Sequence, residues 1–214
     1  MTGRIREFVF PHWLWRLPSG SRSIALTFDD GPHPETTPAL LQVLNRLQIT
    51  STHFVLGTRC RENTGLLRDL TGCGQTVANH GFQHVGFTCL TPTQQMQSIL
   101  AADEAIKDSI GISARFFRPP FGRFNPWTAR ILNKIGYRGV MWSVMVADWI
   151  DQSDDALWLR LQQSLHEGAI VVLHDGQPTT ENVIRLLPRL AEEVKRRGWK
   201  FADLPSLTPL LSHE

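Results

Sequence analysis

SIALTFDDGPHPETTPALLQVLNRL, running from Ser23 to Leu47, holds an apolar run, a charged turn and a helical repeat in close succession. Ile24 to Phe28 is a short apolar run that ends on two adjacent carboxylates, Asp29 and Asp30, and Gly31-Pro32 then turns the chain sharply. Pro38 to Leu47 repeats apolar residues at helical spacing. Strand, turn and helix in that order make one βα unit.

The same rhythm continues outward. Thr52 to Leu56 reads as a strand, Glu62 to Leu70 as a helix, and Gln75 to Ala78 as a short strand before a long loop. Thr91 opens a helix with Pro92 in its first turn, apolar Met96, Ile99, Leu100, Ile106 and Ile110 along one side, and Gly111 as the stop. Arg115 to Phe117 is strand-like, Asn125-Pro126 caps and starts a helix, and Gly136 closes it. Gly139 to Val144 and Ala169 to Leu173 read as strands with a helix from Asp154 to His166 between them. Thr180 to Arg197 is the last long helix and Trp199 to Leu204 the last strand. About seven strands separated by helices imply parallel pairing with right-handed crossovers, an α/β fold of the distorted, incomplete (β/α) barrel kind.

A chain of 214 residues supports one core rather than two. Residues 23–214 are therefore read as one catalytic domain and residues 1–22 as an N-terminal segment packed on the barrel. With 42% hydrophobic and 20% charged residues the composition is globular and leaves no room for a long disordered arm. A formal net charge of +2 without any block of like charges argues against nucleic acid as a partner. Cys60, Cys73 and Cys89 are an odd number without metal or redox spacing, so no disulfide framework is expected. The apolar run Phe8 to Trp15 is broken by Pro11 and His12 and lacks a small-residue cleavage site, which points to a cytoplasmic protein. No apolar stretch is long enough for a membrane span. Nothing in the sequence speaks to oligomeric state.

The titratable residues Asp29, Asp30, His80, His84, Arg118, Asp148 and His174 each follow the end of an expected strand. In parallel barrels that rim is where reacting groups from distant parts of the chain collect. His80 and His84, four residues apart, can converge on one cation, and a carboxylate completes a set that leaves a position for water. Asp30 can supply it. Because adjacent residues at a strand end point differently, one aspartate can bind metal while its neighbour faces water. An amide nitrogen leaves only once protonated, and His174 stands where an acid is needed. Arg118 precedes two prolines that hold the chain extended, Asp148 is positioned to fix the tautomer of His174, and Trp149 offers an indole to a sugar ring. Each feature has an ordinary alternative: a turn at Asp29-Asp30-Gly31-Pro32, packing histidines, a capped strand end, a surface arginine, a half-buried aromatic. His33, His53, His166 and Cys89 have no place in the set, and Trp127, Trp142 and Trp158 read as packing residues, with a tryptophan of the N-terminal segment as a second candidate for the sugar groove.

Taken in order, Thr27 to Gly31, His80 with His84, Arg118 to Gly122, Asp148-Trp149 and Val171 to His174 resemble the five motifs of the polysaccharide deacetylase family, also called the NodB homology domain or carbohydrate esterase family 4. The resemblance implies Asp29 as catalytic base, Asp30, His80 and His84 as ligands of a divalent metal, and His174 as general acid. Zinc is implied first, with cobalt or manganese as alternatives. It further implies Arg118 holding the base, Asp148 tuning the acid, and Phe121 lending its backbone N–H to the oxyanion. The implied activity is removal of N-acetyl groups, as acetate, from N-acetylglucosamine-containing saccharides of chitooligosaccharide or peptidoglycan type. Hydrolysis of another C–N bond, in a formyl-sugar, cyclic imide or ureide, is the alternative reaction, and an inactive carbohydrate-binding relative the alternative class. Two positions depart from the pattern: Gly81 stands where a Ser or Thr is usual, and Met145 where the fourth motif carries its first aspartate.

Overall fold

A computed structural model describes residue 10 and residues 12–204 of the chain. Eight strands are found among them: β1 (Ser23–Asp29), β2 (Thr52–Val55), β3 (Thr76–Asn79), β4 (Phe116–Phe117), β5 (Arg138–Gly139), β6 (Val144–Met145), β7 (Ile170–His174) and β8 (Lys200–Phe201). Seven lie in the order β5-β4-β3-β2-β1-β7-β6, every pairing parallel, and β8 pairs with the start of β1. Seven helices connect them: α1 (Thr37–Arg46), α2 (Gly57–Glu62), α3 (Thr64–Gly72), α4 (Pro92–Ile110), α5 (Pro126–Ile135), α6 (Asp154–Ser164) and α7 (Thr180–Arg196). The result is the curled, incomplete (β/α) barrel. Among the described residues no helix is long and apolar enough to cross a membrane.

Strand β1 is central and every residue of it is buried. Ile24, Leu26 and Phe28 pack with Leu40 and Leu44 of α1 and Val183, Leu187 and Leu190 of α7, whereas Ala25 faces the barrel interior with Phe54, Ala78 and Ile170. That two-residue alternation turns Thr27 and Asp29 inward with Ala25. Truncating any of these fully buried leucines to alanine is worth roughly 2–5 kcal/mol.

Caps act where the sequence put them. The Thr91 side chain accepts from Gln94 N in a capping box that starts α4, and Asn125 does the same with Thr128 at α5. Both helices end on glycines in the left-handed conformation, Gly111 and Gly136. The expected helix from Glu62 to Leu70 is instead two, α2 beginning at Gly57 and α3 at Thr64, because Asn63 leaves the helical conformation (φ −134°, ψ 46°). All three cysteines are free, Cys60 buried and Cys73 and Cys89 exposed.

The largest departure from the sequence reading lies at residues 138–145. A single strand from Gly139 to Val144 was expected. The chain instead pairs with β4 at its start and with β7 at its end, on opposite edges of the sheet. Between the two pairings Val140 N donates to Phe117 O, Met141 N to Leu14 O and Ser143 N to Ile170 O. One stretch thus spans the gap and closes the curl. Leu14 bridges Val140 and donates to Gly139 O, and Trp13 covers Gly139 so closely that a Cβ there would fall inside the indole. Trp13, Leu14, Trp15 and Leu17 are all buried; residues 1–9 of the N-terminal segment lie outside the described residues.

Candidate active site

Asp29 is the last residue of β1, in register with Phe54 of β2 on one side and His174 of β7 on the other. Its neighbour Asp30 takes a positive φ of 75° at the start of the Gly31-Pro32 turn, and both carboxylates come within 4 Å of His80 Nε2, Asp29 at 3.9 Å and Asp30 at 3.5 Å. The turn is held from beneath by Asp175, fully buried, whose carboxylate accepts from the hydroxyls of Thr36 and Thr37 and whose N–H donates to Asp29 O (2.9 Å). Gly31 has no room for a Cβ against that carboxylate. Burial pushes the Asp175 carboxyl up, against the pull of the two hydroxyls.

Arg118 is wholly buried behind Asp29. Its Nη1 donates to Asp29 Oδ1 (2.6 Å) and Thr27 Oγ1 (2.8 Å), its Nη2 to Met141 O (3.1 Å) and its Nε to Val140 O (3.3 Å), while the guanidinium lies 4.1 Å over the Phe54 ring. Burial pushes the guanidinium pKa down and Asp29 pulls it back up. With all three of its nitrogens engaged, the arginine fixes Asp29 in place.

Asp30, His80 and His84 bring ligand atoms within 4.8 Å of one another. Asp30 Oδ1 lies 3.5 Å from His80 Nε2 and 3.2 Å from His84 Nε2. It is buried and has no hydrogen-bond partner among the described residues. His80 Nδ1 lies 2.8 Å from Arg118 O; a carbonyl only accepts, so Nδ1 carries the proton and Nε2 turns its lone pair toward Asp30. Burial would raise the Asp30 carboxyl, but the surrounding imidazoles, His80 foremost and then His84 and His174, hold it well below the usual carboxylate range. Burial pushes His84 down, toward the neutral ligand form. Two imidazole lone pairs and an orphaned carboxylate oxygen around one point fit a divalent metal ion. Among the described residues this is the group of His, Cys and acidic side chains with that geometry, and His33, His53, His166 and Cys89 stand outside it. His53 is a neutral core histidine, pushed down to about 3 by burial and stacked on Phe28.

Asp148 is buried behind His174, with Oδ1 3.0 Å from His174 Nδ1 and Oδ2 accepting from His174 N (2.7 Å). Burial alone would lower the His174 pKa; the hydrogen bond and charge of Asp148, with Asp29 and Asp30, outweigh it and raise it to about 9. The Trp149 ring meets the imidazole edge-on at 5.0 Å.

These residues surround a cleft of about 580 Å³ lined by Asp29, Asp30, His80, His84, Phe121, Trp149 and His174, with Arg118 and Asp148 in the layer behind. Sequence reasoning missed Gln177, whose Nε2 donates to Asp30 Oδ2 (2.8 Å), leaving Oδ1 to face the imidazoles. Its position three residues past His174, on the same rim, was the available signal. Gly81 adopts φ +88°, where a side chain is strained, and Ser98 Oγ stands beside the place a Cβ would take. Ser98 Oγ accepts from Phe82 N and Asn79 Oδ1 from Gly81 N, so the loop between the two histidines is braced without a hydroxyl at residue 81. Met145 is half-exposed on the cleft wall. Three tryptophan expectations need correction. Trp142 lines the cleft as well as packing, Trp127 is half-exposed beneath Arg130, and the N-terminal Trp13 and Trp15 are core residues away from the groove. The reason is the same each time: which face of an indole meets solvent depends on neighbours distant in sequence.

Residues 16–140 match the family described as polysaccharide deacetylase. A chitooligosaccharide deacetylase of Bradyrhizobium sp. is 34% identical over 204 residues, covering 88% of this chain and 92% of that protein. A peptidoglycan-N-acetylglucosamine deacetylase of Bacillus cereus is 26% identical, covering 90% and 91%. Among solved structures, a peptidoglycan N-acetylglucosamine deacetylase in complex with 4-naphthalen-1-yl-N-oxidanyl-benzamide superposes with a TM-score of 0.90 at 24% identity, covering 94% and 95%. A carbohydrate esterase family 4 pseudoenzyme from Bacillus anthracis superposes at 0.84, also at 24% identity, covering 90% of this chain and 67% of that one. At such identity the likeness is one of fold, and the fold by itself does not decide turnover.

Proposed function

The chain belongs to the polysaccharide deacetylase family and is a hydrolase of amide C–N bonds in N-acetylated saccharides, and on that premise we propose that it removes acetyl groups from N-acetylglucosamine-containing saccharides with the help of a divalent metal. The observation that carries this reading is Asp30 Oδ1, a buried carboxylate oxygen without a hydrogen-bond partner among the described residues, aimed at two imidazole nitrogens beside the Arg118-held Asp29.

Asp30, His80 and His84 would hold the ion, zinc by the donor set, with cobalt or manganese as alternatives. When bound, such an ion acidifies water and polarises a carbonyl oxygen. Asp29 accepts a proton from the attacking water, its position set by Arg118. The Phe121 N–H donates to the oxygen on which charge develops as the acetamide carbon becomes tetrahedral. His174, kept protonated by Asp148, gives its proton to the departing nitrogen, so that the C–N bond breaks to acetate and a free amino sugar. Trp149, at the edge of the His174 imidazole, presents an exposed indole to a sugar ring.

The test is acetate release from chitooligosaccharides and from peptidoglycan, each with and without a chelator. Acetate that disappears with chelator and returns with zinc supports the reading. Acetate release indifferent to the chelator removes the metal, and none from either substrate at full zinc loading removes the deacetylase assignment for these substrates.

A further inference from the structure

The lip of the cleft carries a cation that the chemistry above does not use. Arg123 lines the cleft and is exposed, and among the described residues no carboxylate pairs with it. Its guanidinium lies 5.9 Å from the Phe121 ring centre, and its stem passes the metal-loop residue Gly86, beside the same ring. The other face of this arrangement is fixed: the Phe121 ring packs at 4.2 Å on His84. The guanidinium is therefore no farther from the His84 imidazole than those two spacings laid end to end, within the length of a disaccharide.

The backbone that presents it is unusual. Phe121 (φ 59°) and Gly122 (φ 62°) are consecutive left-handed residues, and Gly122 has no space for a side chain against Trp142. An aromatic residue in that region is under strain, and such strain gathers at functional sites. Here it turns the Phe121 ring outward, 60% exposed, and sets Arg123 upon it. The two acids of the cleft are buried at its floor and already engaged, Asp29 by Arg118 and Asp30 by Gln177 and the imidazoles. Met145, half-exposed on the wall, brings no charge. The upper cleft thus offers a planar cation, partly ordered by an aromatic ring, with no free anion among the described residues that line it.

We propose that Arg123 is a carboxylate-binding subsite, so that the preferred substrate is an N-acetylated saccharide carrying a carboxylate on the sugar adjacent to the one deacetylated. Guanidinium and carboxylate match in geometry and bind through paired charge-assisted hydrogen bonds. The proposal rests on the deacetylase reading and deepens it.

The test compares kcat/KM of the zinc-loaded enzyme for an N-acetylglucosamine–N-acetylmuramic acid tetrasaccharide and for the same compound with its carboxylates methyl-esterified. The expected ratio is about tenfold in favour of the free acid, shrinking in 0.5 M salt. In Arg123→Gln the ratio falls to about one, and Arg123→Lys retains part of it. A wild-type ratio near one overturns the subsite, and so does a tenfold ratio that persists in Arg123→Gln. Should the variant not fold, the wild-type ratio and its salt dependence still decide. Absence of acetate from both compounds and from chitooligosaccharides would instead remove the deacetylase reading on which the subsite rests.

Discussion

His174 shows at residue scale how two opposed effects set a proton. Burial favours the neutral ring, and the Asp148 carboxylate with the charges of Asp29 and Asp30 overrides it, raising the pKa to about 9. A group raised on folding stabilises the folded state while protonated. That contribution is complete below about 6.5 and is lost as pH climbs through about 9. Turnover that requires the imidazolium should follow the same alkaline limb, and Asp148→Asn should move the limb to lower pH, since burial then dominates. An identical limb in kcat-against-pH profiles of wild type and variant would remove Asp148 from this role. Asp29→Asn should lower acetate release by about a hundredfold or more while zinc stoichiometry stays at that of the wild type, because the three ligand atoms belong to other side chains. Loss of zinc from this variant would show Asp29 to be a ligand instead. Gln177→Leu removes the partner that orients Asp30, and the zinc Kd, read by competition with a chromogenic chelator, should rise about 10–100-fold. An unchanged Kd would leave Gln177 a bystander.

Among the elements, β1 and β7 carry the site and were the easiest to read. Both are short, apolar and fully or nearly fully buried, and each ends on a titratable residue, which is what parallel strands covered on both faces look like in sequence. Helix α4 was legible from its caps, because Thr91 and Gly111 act locally on backbone groups that any helix leaves free. The break between α2 and α3 was not legible: Asn63 departs from helical geometry within a stretch whose composition permits helix throughout. Residues 139–144 read as one strand because their composition is that of one. That the two ends of this stretch pair with opposite edges of the sheet depends on where those edges stand, and no local pattern encodes it.

For the molecule as a whole, closure of the barrel depends on contacts between the two ends of this architecture. Trp13 lies over Gly139 and stacks on Phe124 at 4.1 Å, and Leu14 joins the closing stretch as a bridge. Trp13→Ala should therefore cost about 3–5 kcal/mol, read as a shift of the urea midpoint, a loss typical of a buried aromatic. A loss under about 1 kcal/mol would mean that the N-terminal stretch rests on the barrel without closing it. Because β4 and β5, which pair beside this contact, also lead to and from Arg118 and Phe121, loosening it should weaken activity along with stability.

Local patterns along the chain suffice for the alternation of strand and helix, and with it the parallel barrel. They also determine the residue types that end each strand, since hydrophobic period, caps and turn residues are local properties of the chain. Packing alone decided that, among the described residues, Asp30 Oδ1 is left without a hydrogen-bond partner, that Gln177 and Ser98 brace the metal-ligand candidates, and that Arg123 comes to line the cleft beside Phe121. Those facts are distances and burials between residues far apart along the chain. They exist only once packing has excluded water and brought the ends of separate strands to one rim.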